Sequence, residues 1–267
     1  MRPRKRFGQH FLESTWAGKV ARAIEPRAGD VILEIGPGRG AMTHLLGAAA
    51  ARVLAFEIDR DLVPGLREVA AANVTIVEGD FLDATAGTIG EELRRLGVSP
   101  TTPLRVAGNL PYNVASPILF KLIEFVDEGL PVNDAVVMLQ REVADRLIAS
   151  PGTKEYGVLS VLIRHRADVE RVLSLPAGAF RPVPKVQSAV VRLRFHPPRP
   201  VPRRPDVFQK LTKAIFTRRR KTLANALQAY ASSGGEEALQ RAGLDGRRRP
   251  ETLDIPELVS LADAFPP

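Results

Sequence analysis

From about residue 30, short apolar runs rich in β-branched residues alternate with segments whose apolar positions recur every three or four residues. Val31 to Ile35 is a predicted buried strand, and Ala41 to Ala50 the helix after it. Arg52 to Ile58 is a second strand, followed by a helix from about Arg60 to Ala71. Val74 to Val77, Leu104 to Ala107 and Ala135 to Leu139 are three more strands, the last two separated by a helical pattern over Ala115 to Phe125. Strands alternating with helices predict an α/β protein: a parallel sheet covered by helices on both faces. Near-continuous apolar strands fit that double burial.

Tyr156 to Arg166 is assigned to helix because its apolar positions run on past strand length. Val169 to Leu175 and Val186 to Phe195 are predicted strands between Pro-rich turns, the second partly alternating, as a late antiparallel hairpin would. His196 to Pro205 holds five prolines and no hydrophobic period, so it is expected to connect two domains. Beyond it, Asp206 to Phe216, Thr222 to Tyr230, Glu236 to Arg241 and Ile255 to Phe265 are predicted helices, with a break at Ser232-Ser233-Gly234-Gly235. The expected division is an α/β domain over residues 1–196 and a small all-helical C-terminal domain over 206–267.

Composition narrows the class. Of 267 residues, 45% are hydrophobic and 25% charged, as in ordinary globular proteins. No apolar stretch approaches the roughly 20 residues of a membrane span, and the basic N-terminus lacks the apolar run of a secretory signal. With no Cys, disulfides and thiolate zinc sites are excluded, and four His leave little to build a metal site. These features favour the cytoplasm. The formal net charge of +8 points to a polyanionic partner, nucleic acid being the commonest. Arg richness by itself could reflect genomic bias, but the charge is clustered. Arg2, Arg4, Lys5 and Arg6 form one block, Arg218-Arg219-Arg220-Lys221 a second, and Arg247-Arg248-Arg249 a third.

The candidate chemistry lies at strand ends. Glu34-Ile35-Gly36-Pro37-Gly38-Arg39-Gly40 follows the first strand and opens the first helix, where glycines allow a tight turn and a close ligand approach. Its Gly-x-Gly-x-Gly spacing differs from that of dinucleotide enzymes, and Glu34 would repel a pyrophosphate. A ligand without phosphates and with a charged amino-acid end suits it better. Glu57, about 20 residues on, is placed to bind ribose hydroxyls, and Asp80 can accept from an adenine amine; Asp59 is expected only to cap a helix. Open α/β sheets bind ligands at strand carboxyl ends, so Gly36, Glu57, Asp80 and Asn109 should converge. Together they favour S-adenosylmethionine over a nucleotide cofactor.

Asn109-Leu110-Pro111-Tyr112 closes the Leu104 to Ala107 run. The Asn109 amide oxygen and the Leu110 carbonyl can accept both hydrogens of a planar exocyclic amine. Pro111 stiffens the turn, and the Tyr112 ring can stack on a base. Phe180 could cover the base's other face or be a core plug beneath its own loop.

Several stretches resemble the rRNA adenine dimethyltransferases, and among them the bacterial small-subunit type. Phe7 to Leu12, Glu34 to Gly40, Gly79-Asp80 and Asn109 to Asn113 carry the first likeness. Leu139 to Ala144, Pro151 to Gly157, Phe180 to Val190, Arg219 to Leu223 and Arg249 to Leu253 narrow it. The resemblance spans nearly the whole chain. It implies a Rossmann-like class I methyltransferase sheet with a small helical domain, dimethylating two adjacent adenosines near the 3′ end of 16S rRNA. It also implies a monomer with a part in ribosome biogenesis. By matching positions, His10, Leu12, Gly36, Gly38, Glu57, Ile58, Asp80, Phe81 and Asn109 would contact S-adenosyl-L-methionine. Where the family often has Asn this chain has His10, and a hydrogen bond to the methionine carboxylate is its modest role. Asn109, Leu110, Pro111, Tyr112 and Phe180 would form the catalytic set. Arg4, Lys5, Arg6, Arg218, Arg219, Arg220, Lys221, Arg247 and Arg248 are the expected RNA contacts.

Overall fold

A computed structural model of the chain describes residues 9–265. Two compact units emerge: one is the chain up to Ala144 together with Asp168–Phe195, the other Asp145–Ala167 together with the chain from His196. The first begins with Phe11–Leu12 (β1), Ser14–Ile24 (α1), Val31–Ile35 (β2), Ala41–Ala49 (α2), Arg52–Glu57 (β3), Val63–Val69 (α3) and Val74–Glu78 (β4). It continues with Ala86–Arg95 (α4), Leu104–Asn109 (β5), Ala115–Asp127 (α5) and Val132–Gln140 (β6). Arg141–Ile148 (α6) carries the chain into the second unit, where Val158–Arg164 is α7. Ala167–Leu175 (β7), Phe180–Arg181 (β8) and Ser188–Phe195 (β9) return to the first. Pro205–Thr217 (α8), Leu223–Leu227 (α9), Gly235–Ala242 (α10) and Ile255–Ala264 (α11) complete the second.

The strands lie in the order β4-β3-β2-β5-β6-β9-β7. The first five pair in parallel, and β9 runs antiparallel to β6. Parallel strands need both faces covered, and β2 is buried at every position. Ile32, Val53, Ala55, Ala107, Val136 and Met138 from the sheet meet Val20, Ile24, Met42, Leu46 and Val63 from helices in one core. Each Val, Leu, Ile or Met side chain among them stabilises by about 1.5–3 kcal/mol when fully buried. The sequence pattern did not announce a second, two-stranded ribbon, in which β1 pairs antiparallel with β8, Phe11 opposite Arg181 and Leu12 opposite Phe180.

The second unit departs from the expected division at 196, because residues 145–167 belong to it. The cause is packing far along the chain. Tyr156 is buried, its hydroxyl donates to Leu253 O at 3.0 Å, and its ring meets Phe216 edge-on. Gly152 N donates to Glu251 O at 2.7 Å, and the His165 ring lies 4.6 Å from that of Phe208. Helix starts here follow local rules: Pro205 opens α8, and Asp254 with Glu257 forms a reciprocal capping box on α11.

Candidate active site

Strand register sets the site. Ile35 pairs with Phe56 on one side and with Gly108 on the other. The next residues, Gly36, Glu57 and Asn109, therefore leave the sheet side by side. Gly36 takes a left-handed φ of 70°, and a β-carbon there would stand 3.7 Å from Asn109 O. The turn is tied to the neighbouring strand: Gly36 N donates to Phe56 O at 2.9 Å and Gly38 N to Glu57 Oε2 at 2.9 Å. Glu57 Oε1 accepts from Asp59 N at 2.8 Å. Gly108 has a different reason to be glycine: a β-carbon would lie 2.7 Å from Ile35 O, a collision with backbone. A glycine inside a strand often marks such close approach, and this one stands immediately before Asn109.

At the end of β5, Asn109 Nδ2 lies 2.9 Å from His10 O. A carbonyl only accepts, so this contact fixes the amide with its nitrogen toward His10. Among the described residues no hydrogen bond reaches Asn109 Oδ1, nor the Leu110 carbonyl. The Leu110 side chain is buried, and its N–H donates to Met138 O at 3.1 Å. Two acceptors are thus held open on adjacent residues. Pro111 O accepts from Val114 N at 3.1 Å, closing the turn. Tyr112 follows, its hydroxyl 2.7 Å from Ser188 Oγ and its ring stacked on that of His10, centroids 5.3 Å apart at 26°. Burial pushes the Tyr112 hydroxyl pKa up, against the Ser188 hydrogen bond.

One buried group stands out beneath the turn. Glu34 is fully buried, and neither carboxylate oxygen has a hydrogen-bond partner. Thr43 Oγ1 is equally buried and unpaired. Burial raises the Glu34 pKa to about 8, with a smaller upward push from Glu57. Thr43 is near enough to favour the ionised form somewhat, but no well-formed hydrogen bond joins the two. Burial raises Glu57 as well, opposed by the Asp59 and Gly38 N–H groups. A crevice of about 60 Å³ is lined by His10, Gly36, Glu57, Ile58, Asn109 and Tyr112, among others. Phe11, Gly36, Gly38 and Asn109 also line a groove of about 530 Å³ that takes in Leu12, Glu34 and Thr43.

The strand ends gather Gly36, Gly38, Glu57, Ile58 and Asn109 as expected, with His10 and Leu12 brought in by β1 and its approach. Asp80 and Phe81 line neither cavity. Asp80 Oδ1 accepts from Leu82 N at 2.9 Å, capping one short turn of helix. The Phe81 ring points into the core, edge-on to Phe56 and Phe125. Phe180 is corrected: its ring is fully buried in the sheet core, so it is the plug beneath its loop and not a cover for a base. The His10 Nδ1 donates to Pro182 O at 2.7 Å, and its ring stacks on Tyr112.

Of the basic blocks, Arg4, Lys5 and Arg6 lie outside the described residues. Arg219 and Arg248, also expected as RNA contacts, are tied within the second unit. Arg219 Nε bonds Glu251 at 2.8 Å and its Nη1 bonds Lys154 O at 2.9 Å. Arg248 is held by the Glu257 carboxylate and by Thr252 O. Arg218, Arg220 and Lys221 are exposed, as is Arg247, which pairs with Asp245 at the surface. Among the described residues, no helix is long and apolar enough to cross a membrane.

Known proteins give this geometry a context. The model of the family described as ribosomal RNA adenine dimethylase matches residues 1–265. "Ribosomal RNA small subunit methyltransferase A" of Geobacter sulfurreducens is 45% identical over 98% of this chain and 94% of its own length. The protein of the same name from Acinetobacter baylyi is 41% identical over 99% and 93%. A 23S rRNA methyltransferase, ErmE, superposes with a TM-score of 0.65 at 26% identity, covering 96% of this chain and 99% of its own. A dimethyladenosine transferase from Plasmodium falciparum shares the fold, with a TM-score of 0.70 at 22% identity over 94% and 96%. A Gly-rich turn between two strand-end groups, two open acceptors beside an aromatic ring, and a family match from end to end agree: this chain belongs to the ribosomal RNA adenine dimethylases.

Proposed function

We propose that this chain transfers methyl groups from S-adenosylmethionine to the exocyclic amines of two adjacent adenosines near the 3′ end of 16S rRNA, giving dimethyladenosines. It acts as a cytoplasmic monomer on the small ribosomal subunit and takes part in that subunit's assembly. The observation that carries this reading is the pair of open acceptors, Asn109 Oδ1 and Leu110 O, beside Tyr112. Small-subunit relatives at 41–45% identity, against 26% for the 23S enzyme, favour the small subunit as substrate.

The residues around the Gly36 turn suit the donor. Glu34 and Thr43 offer buried, unpaired polar atoms to an ammonium group, and a nearby cation would stabilise the ionised carboxylate. Glu57 keeps lone pairs beyond its two backbone contacts, enough to accept from ribose hydroxyls. When bound, S-adenosylmethionine supplies a methyl group on a positively charged sulfur, already activated for direct displacement.

The chain therefore has to position and to stabilise charge. The amine's lone pair is delocalised into the adenine ring. Asn109 Oδ1 and Leu110 O, by accepting its hydrogens, favour the pyramidal geometry that makes the pair available, and they stabilise the positive charge that grows there. Tyr112 stacks on the extruded base, a contact worth about 1–3 kcal/mol. Extrusion costs a few kcal/mol, which phosphate contacts by Arg218, Arg220, Lys221 and Arg247, with Arg4, Lys5 and Arg6, offset.

The test is incubation with labelled S-adenosylmethionine and, separately, methylation-deficient small subunits, large subunits and duplex DNA. Label recovered as dimethyladenosine from small subunits alone is expected. Labelling of large subunits or DNA in preference would overturn the assignment.

A further inference from the structure

Strand β9 runs antiparallel to β6, so its first residue, Ser188, lies at the same end of the sheet as Asn109. On the strand between them, β6, Asn109 pairs with Met138 and Ser188 with Gln140. Tyr112, a turn beyond Asn109, therefore reaches across the end of β6 to Ser188, hydroxyl to hydroxyl, at 2.7 Å.

Ser188 is a fixed post. It is 1% exposed, and it begins a strand that stays buried through Leu193. On its other side Gln187 is clasped by Arg141, whose N–H donates to Gln187 O at 2.9 Å and whose Nη1 donates to Gln187 Oε1 at 2.8 Å. Buried hydroxyls are normally hydrogen-bonded, and among the described residues the partner of Ser188 Oγ is Tyr112. A ring held by packing alone can turn and slide, whereas one pinned at its far end keeps a single plane.

The two methyl transfers of the proposed function do not need that plane equally. An unmodified adenine amine has two hydrogens, one each for Asn109 Oδ1 and Leu110 O. Each transfer forms an N–C bond and breaks a C–S bond, whose electron pair stays on sulfur, and the amine gives up one proton to water. After the first transfer one hydrogen remains, so one of the two acceptors has nothing to receive. The singly methylated base is then held by one hydrogen bond and by its stack on Tyr112. The second transfer leans harder on the ring than the first.

We infer that Ser188 is a positioning residue that acts through Tyr112, holding the ring in the plane that keeps a singly methylated adenosine in line for its second methyl group. This inference rests on the proposed function and adds to it the side chain that governs how far the reaction runs.

The experiment is transfer from labelled S-adenosylmethionine to methylation-deficient small subunits by the unsubstituted chain, Ser188→Ala, Tyr112→Phe and the double variant. The ratio of mono- to dimethyladenosine is read at equal incorporated label, so that a general loss of activity leaves it unmoved. Calorimetric donor binding by Ser188→Ala runs alongside. Ser188 lines neither cavity around the Gly36 turn, so that affinity should stay within about twofold of the unsubstituted chain. Loss of one neutral hydrogen bond should slow the second transfer about fivefold relative to the first and raise the ratio to match. Tyr112→Phe removes the same contact from its other end and should shift the ratio by about as much, with no further shift in the double variant. An unchanged ratio in Ser188→Ala, a shift in one single variant without the other, additive shifts in the double variant, or a lost donor affinity in Ser188→Ala would overturn the inference while leaving the proposed function intact. Absence of transfer by the unsubstituted chain would overturn both.

Discussion

The two ends of the parallel sheet treat buried charge in opposite ways. At the amino end, Arg105 sits on β5 with its guanidinium fully engaged. Nε and Nη2 grip Asp134 at 2.8 and 2.9 Å, Nη1 reaches Asp30 at 2.6 Å and Glu25 O at 2.9 Å, and Nη2 also reaches Ile24 O at 2.7 Å. These partners, Asp134 first, hold the guanidinium pKa above its ordinary value despite burial. At the carboxyl end, Glu34 is buried with neither oxygen paired, Asn109 Oδ1 is open, and so is Leu110 O. A saturated cluster is finished structure. Buried polar groups left unpaired cost free energy, and Glu34 and Thr43, which line the groove beside the Gly36 turn, mark there a place where a ligand completes the molecule.

Breaking each end should break a different property. Arg105→Met strands two carboxylates at a largely buried site and should cost about 3–5 kcal/mol of stability by urea denaturation. The folded fraction should still bind S-adenosylmethionine normally. Gly108→Ala lies between the two behaviours. Its methyl group would meet Ile35 O, so about 1–3 kcal/mol of stability should go, with a fall in methyl transfer because Asn109 is the next residue. Glu34→Gln should have the mildest effect on folding and the sharpest on pH dependence. The Glu34 pKa is raised to about 8 in the folded chain, so folding takes up a proton between the ordinary carboxylate range and that value. Its contribution to stability is present in full below that range and is lost as pH rises through about 8. Denaturation midpoints should decline over that window in the unsubstituted chain and stay flatter in Glu34→Gln. Donor affinity of the variant should drop about tenfold, as expected for a lost charge-assisted contact.

The carboxyl end was largely legible from the residues in order, because two local signals coincide there. Apolar runs such as Val31 to Ile35 define the strands, and each is followed by a residue type whose chemistry suits its place. What the sequence hides is direction and distant company. Phe81 and Phe180 flank strand ends as a base-stacking residue would, but their rings turn into the core. Arg219 and Arg248 stand in runs of cations, yet each is matched to a carboxylate, Glu251 or Glu257, on later turns of the same unit. The Pro-rich connector suggested one boundary, whereas the stretch around Tyr156 joins the helical unit through Leu253, nearly a hundred residues on. Helix α1 is hard to read from the residues because half its buried stripe, Ala17, Val20, Ala21 and Ile24, is alanine. A stripe at that spacing is helical all the same.

The central claim is that the two acceptors left open at the end of β5 receive the adenine amine, while the groups around the Gly36 turn hold the donor. Asn109→Ala, assayed side by side for calorimetric S-adenosylmethionine binding and for labelled methyl transfer to methylation-deficient small subunits, separates these roles most directly. Donor affinity within about twofold of the unsubstituted chain, with transfer slowed at least about 100-fold, is the predicted result. Transfer at a near-normal rate, or loss of donor binding in a folded variant, would contradict it.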